Sequence, residues 1–164
     1  MPASNTYEAI ESITLTNNSS TVTFGSIPQT YTDLILIHTI TAVSGGTMGI
    51  DLEFNSDSGT NYSATEILGN GSSASSTRTS NYNYINSGAG SSANQTNSIY
   101  HIMNYTNTTT YKTVLCHATD PAAFTRLVAG LWRSTAAITA VRIFHHSNTF
   151  ASGSTFTLYG IKAA

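Results

Sequence analysis

The sequence predicts an all-β protein: a two-sheet antiparallel β-sandwich of jelly-roll type with about ten strands. Three observations carry the prediction. Short runs in which apolar and polar residues alternate recur along the whole chain, the pattern of half-buried strands. Clusters of Gly, Asn, Asp and Ser separate these runs at intervals of about 8–15 residues. Strong helix formers are scarce. Charged residues make up 9 % of the chain, whereas Ser, Thr and Asn together account for 63 of 164 residues. No window of about 11 residues has a 3.6-residue apolar period. The 40 % apolar content, with nine Tyr, six Phe and one Trp, supplies a core and argues against disorder.

Each element can be justified in order. "IESITLT" (10–16) places Ile13 and Leu15 on one face, and "TVTFGSI" (21–27) places Val22 and Phe24 together. The "NNSS" turn between them predicts that the two pair as a hairpin. "YTDLILIHTITAV" (31–43) is apolar on both faces in its middle and predicts a central strand covered on both sides. In "IDLEFN" (50–55), Ile50, Leu52 and Phe54 alternate with Asp51 and Glu53, which predicts one wet face. "NSDSGTN" (55–61) follows as a hairpin turn and "YSATEIL" (62–68) as a strand. Residues 69–97, rich in Gly, Ser and Asn, predict a long loop, with an irregular edge strand near 82–85 as the alternative. Strands resume at 98–105, 111–119, 124–133 and 137–147, with a break at Pro121. The closing segment "GSTFTLYGIKAA" (153–164) turns Phe156 and Leu158 one way and Thr155, Thr157 and Tyr159 the other. It is therefore expected to pair and to cover the core. The chain is expected to form one domain, 1–164, with residues 1–9 as a candidate docking arm.

Composition and motifs exclude several function classes. Net charge is −2 and only six Lys and Arg are present, against the basic surface nucleic acid requires. No apolar run approaches the roughly 18 residues of a membrane-spanning helix. "MPASNTYEAIES" has neither the basic nor the apolar part of a secretory signal, so synthesis in the cytoplasm is expected. The single Cys116 cannot form an internal disulfide. Cys116 and His117 are adjacent in a strand and so diverge, as do His145 and His146. His38, His101 and His117 lie within apolar strands, where polar residues on sheet faces are expected rather than metal ligands. Asn55, Asp57 and Gly59 alternate like the start of a calcium loop, but the pattern fails beyond them. Asp51, Glu53 and Glu66 could supply a carboxylate pair, yet any chain with eight acids offers such pairs. There is no G-x-S-x-G elbow and no G-x-G-x-x-G before a helix. The expectation is a non-enzymatic protein without cofactor or metal. Its interaction candidates are the aromatic residues Tyr7, Tyr82, Tyr84 and Trp132. Trp132 is also a natural core anchor, and Tyr82 and Tyr84 could instead pack the 69–97 segment onto its own domain.

Several segments carry a family resemblance: "FGSIPQTYTDLILI" (24–37), "FNSDSGTNYSATEILGNGSSASS" (54–76), "IMNYTNTTTYKTVL" (102–115), "GLWRSTAAIT" (130–139) and "GSTFTLYGIKA" (153–163). In this order they resemble a β-sandwich family of tailed-bacteriophage virion proteins, especially from marine and cyanobacterial phages. "HHSNTF" departs from the more Gly-rich turn expected there. The resemblance implies a structural protein on the virion surface. The leading form is a capsid decoration (cement) protein or head-fibre knob that docks on the major capsid protein or another virion protein, expected as a homotrimer. The alternative is a tail-fibre tip or adhesin that binds host surface glycans through the 69–97 segment. Neither implies catalytic residues. Many copies on one particle would gain avidity from weak contacts, and neutral hydroxyl and amide surfaces tolerate changing salt.

Overall fold

The computed structural model describes residues 6–41 and 48–162. Twelve strands run through them: β1 (Tyr7–Thr14), β2 (Thr21–Phe24), β3 (Asp33–Ile40), β4 (Met48–Phe54), β5 (Tyr62–Gly69), β6 (Ala74–Tyr82), β7 (Ile85–Gly90), β8 (Thr96–Met103), β9 (Lys112–Asp120), β10 (Phe124–Trp132), β11 (Val141–Phe144) and β12 (Thr155–Ile161). They form an eight-stranded sheet, in the order β1-β12-β3-β8-β9-β10-β5-β6, and a four-stranded sheet, β2-β11-β4-β7. The pairings are antiparallel, and the two sheets pack face to face as the predicted β-sandwich.

Alternation builds the larger sheet. In β8, Ser98, Tyr100 and Ile102 turn inward; in β9, Val114, Cys116 and Ala118 do so; in β10, Arg126, Val128 and Trp132. The closing strand behaves as expected. Phe156 and Leu158 are fully buried, and β12 is held between β1 and β3. Val22, Phe24, Ile50, Leu52, Phe54 and Ile143 answer from the smaller sheet.

Several expectations are corrected. The first two strands do not form a hairpin: β1 pairs with β12 and β2 with β11, in opposite sheets. Both have an apolar face that needs the same core, and placing them in different layers lets each reach it from its own side. The turn between them carries the chain across, pinned by paired backbone bonds between Ser19 and Phe150. The 55–61 turn is likewise a crossover, because β4 and β5 belong to different sheets. β3 is covered on one side only. Leu34, Leu36, His38 and Ile40 are buried, but Ile35 and Ile37 on the other face are half-buried; Ala42 and Val43 lie outside the described residues. The supposed wet face of β4 is dry, with Asp51 and Glu53 at 3 % and 4 % exposure. The 137–147 segment contributes only the short β11. Tyr7, Glu8 and Ala9, within the candidate arm, are ladder residues of the edge strand β1, opposite Ile161, Gly160 and Tyr159; residues 1–5 lie outside the described residues.

The largest correction concerns 69–97. This segment holds two strands, β6 and β7, and the start of β8, with short turns between. β6 is the outer edge of the larger sheet and β7 the outer edge of the smaller one. The chain folds over the rim of the sandwich at Asn83 and Tyr84.

Candidate functional site

Two surfaces arise from this arrangement, and β7 positions one of them. Its sequence, "INSGAG", has almost no side chain to pack, so its backbone settles directly on the larger sheet. The larger sheet then satisfies the polar backbone of β7. The Cys116 thiol donates to Ser87 O (3.2 Å), Thr96 Oγ1 donates to Ala89 O (2.9 Å), and Ser98 Oγ accepts from Ala89 N (3.2 Å). Arg126 Nη2 donates to Asn86 O (2.7 Å) and Nη1 to Gly88 O (3.4 Å). An edge strand is thus closed by side chains instead of by another strand.

Arg126 is the centre of a buried polar relay. At 6 % exposure it forms an ion pair with Glu66 (2.6 Å) and donates to Asn86 Oδ1 (3.0 Å). Asn86 Nδ2 in turn donates to Asp51 Oδ1 (2.7 Å), and His146 Nε2 lies 3.5 Å from Asp51 Oδ2. Burial pushes the Asp51 carboxyl up to about 7, against the opposing pull of Asn86 and the Arg126 charge. The cover over Asp51 is aromatic. Tyr84 packs on His146 (4.6 Å between ring centres) and edge-on to Phe144 (5.8 Å), while the Arg142 guanidinium sits 4.2 Å from the Phe144 ring centre. Arg142 also pairs with Glu53 at 3.4 Å. Tyr82 extends this cluster outward, edge-on to Tyr84 at 5.3 Å, and is 44 % exposed. Beside the two tyrosines, a cleft of about 300 Å³ is lined by Glu66, Thr77, Thr79 and Asn86.

The second surface is the outer face of the larger sheet. Registry aligns Ile37, Ile99, His117, Leu127 and Ile67 in one row across five strands, with Ile35, His101, Leu115, Ala129 and Thr65 in the next. Leu127 and Ile67 are 57 % exposed, Leu115 52 % and Ile99 47 %. They frame a shallow depression of about 470 Å³ that no Lys, Arg, Asp or Glu lines. His101 is tied down by Asp33 at 2.7 Å. Four large apolar side chains gathered this openly on one sheet face is the pattern of an interaction surface, not of scattered surface hydrophobics.

The four candidate interaction residues separate. Tyr82 and Tyr84 come together in the cleft. Tyr7 is 58 % exposed on β1, at the opposite edge of the sheet. Trp132 is 2 % exposed and belongs to the core: it packs on Phe54 and Tyr62, and its Nε1 donates to Asp57 Oδ2 at 2.7 Å. Among the histidines, His38 lies on the inner face of β3. It is fully buried between the sheets, with Nε2 3.1 Å from Tyr100 Oη, and burial lowers it to about 3. His145 is buried and His146 is not, but both lie beyond the end of β11, so the strand expected to carry them does not reach them.

Sequence reasoning passed over Arg126 and Asn86 and met Glu66 only as one of three carboxylates that could pair, although Arg126 shares the phase of Val128 and Trp132, a sign that it turns inward. It also passed over the outer apolar face. The signal there was that β8, β9 and β10 each carry apolar residues in both phases. Fold and surfaces together define a β-sandwich protein with an open apolar sheet face and an aromatic-walled cleft. No family model matches the chain, and no curated protein matches it.

Proposed function

We propose that this chain is a structural protein of a tailed-bacteriophage virion, a capsid decoration or head-fibre knob protein that assembles as a homo-oligomer and works without catalysis. The observation that carries the assembly reading is the apolar outer face of the eight-stranded sheet. A second copy of the chain suits this face best, because no Lys, Arg, Asp or Glu lines its apolar depression and Asp33 at its side is already paired with His101. Two copies can meet there without stranding an unpaired charge. Fully burying a Leu or Ile side chain is worth about 1.5–3 kcal/mol, so covering the exposed halves of Leu127, Ile67, Leu115 and Ile99 offers each protomer about 3–6 kcal/mol. The virion assignment rests on the resemblance of the segments quoted above, and the neutral hydroxyl-rich exterior fits a particle exposed to varied salt.

Sedimentation equilibrium tests the assembly. The expected result is a mass that is a multiple of 17.4 kDa, three chains for the expected trimer, falling to one chain in Leu115→Asp plus Leu127→Asp. A wild-type monomer at all concentrations overturns it, as does a double variant that stays assembled. A dimer keeps the face as the interface and overturns the trimer. Mass spectrometry and imaging of purified particles of the encoding phage test the location. The protein is expected on the capsid surface, and its absence from the particles overturns the virion assignment.

A further inference from the structure

The eight-stranded sheet overhangs the four-stranded one. β7 is the last strand of the smaller layer, and the inner face of β6 lies beyond it. Every described β6 residue is exposed except Thr79, which is half-buried. On this ledge Thr77 and Thr79 stand beside Glu66, and the β6–β7 turn raises Tyr82 and Tyr84 as a wall. We infer that the ledge is a binding site for a neutral pyranose, stacked on Tyr82 with its hydroxyls on Thr77, Thr79 and Glu66.

The chemistry of the lining selects this ligand class. A pyranose has one face of C–H groups and a rim of hydroxyls. The open Tyr82 ring supplies an apolar platform for the face. Thr77 and Thr79 supply hydroxyls that donate and accept, and the Glu66 carboxylate accepts. The site is also pre-organised. Tyr82 leans edge-on against Tyr84, which His146 and Phe144 hold in place. Glu66 is fixed by Arg126, and Asn86 is fixed at both ends of its amide, by Arg126 and Asp51. Little side-chain freedom is lost on binding. The volume, about 300 Å³, lies at the lower end for small-molecule sites and suits one ring, with further units running out along β6. Electrostatics exclude sugar acids. Arg126 faces the carbonyls of β7 and is nearly buried, while the carboxylate of Glu66 faces the cleft. This inference is independent of the assembly reading, which concerns the opposite face of the same sheet.

The test is a titration of the ¹⁵N-labelled full chain with methyl glycosides of glucose, galactose, mannose and N-acetylglucosamine, and with glucuronic and N-acetylneuraminic acids. The expected result is saturable shifts at Thr77, Thr79, Tyr82 and Asn86 with at least one neutral glycoside, in the millimolar range, and none there with the acids. Tyr82→Ala and, separately, Thr77→Val are each expected to weaken binding at least tenfold while amide signals of the other strands stay in place. Both side chains are exposed, so neither change burdens the core. The inference is overturned if no neutral glycoside gives saturable shifts, if the acids bind as well, or if both variants bind like the parent. None of these outcomes bears on the sedimentation experiment.

Discussion

Gly88→Ala tests the account of β7 directly. A Cβ at this position would lie 2.3 Å from Tyr100 Oη, 2.6 Å from Ile50 Cβ and 3.1 Å from His38 Nε2. Comfortable carbon contacts begin near 3.5 Å, so β7 would have to rise by about 1 Å. The Tyr100 ring can tilt a little, but Ile50 Cβ is fixed to the backbone of the neighbouring strand. Overpacking of this kind costs about 1–3 kcal/mol. Lifting β7 also weakens its bonds to Cys116, Ser98 and Arg126, each worth about 0.5–1.5 kcal/mol. A loss of about 3–4 kcal/mol is expected in total. For a domain of this size each kcal/mol moves Tm by about 2–4 °C, so a fall of about 10 °C is expected by calorimetry. Gly25→Ala is the control, since a Cβ there meets nothing within 4 Å. It should leave Tm unchanged or raise it slightly. A Gly88→Ala protein that melts within about 2 °C of the parent would refute the close seating of β7. So would a Gly25→Ala protein that loses as much.

Three further outcomes follow from the buried polar groups. Burial raises Asp51 from the ordinary aspartate value of 3.8 to about 7, so the folded chain holds this proton more tightly than the unfolded one. Its contribution to stability is complete below about pH 4, declines as pH rises through about 7, and is then flat; three units correspond to about 4 kcal/mol. Urea midpoints from pH 4.5 to 8.5 should show Asp51→Asn gaining on the parent as pH rises, and a constant difference contradicts the assignment. Asn55 has a left-handed φ of 52°, and its side chain accepts from Thr139 N and Ala140 N and donates to Ala137 O. Asn55→Ala should therefore cost about 2–4 kcal/mol in urea unfolding, and Asn55→Gly, which keeps only the φ, somewhat less; equal stability of Asn55→Ala and the parent goes against it. Cys116 is 2 % exposed and burial pushes its thiol up to about 12. A disulfide reagent at pH 8 should label it in urea and leave it untouched in the folded chain.

The sequence by itself determined the fold class, most strand positions and the inward phase of β2, β4 and β12. Phe156 and Leu158 in β12 are buried where alternation put them, as are Val22 and Phe24 in β2. That much is legible because period-2 burial is a property of neighbours a few residues apart. Which strand pairs with which was not legible. β1 and β2 looked like a hairpin, and only the competition of both apolar faces for one core sends them to opposite sheets. β7 was invisible for a related reason. Nothing in "INSGAG" favours a strand locally; it is extended because β4 pairs with it and because Arg126, Cys116 and Ser98, all distant in sequence, bind its backbone. The cleft and the outer apolar face are further from the sequence still. Tyr82 and Tyr84 were candidates by type, but Glu66, Thr77 and Asn86 join them only because one sheet has more strands than the other. Alternation is written in short stretches of chain, whereas sheet order and overhang are set by long-range pairing, and both surfaces of interest come from the latter.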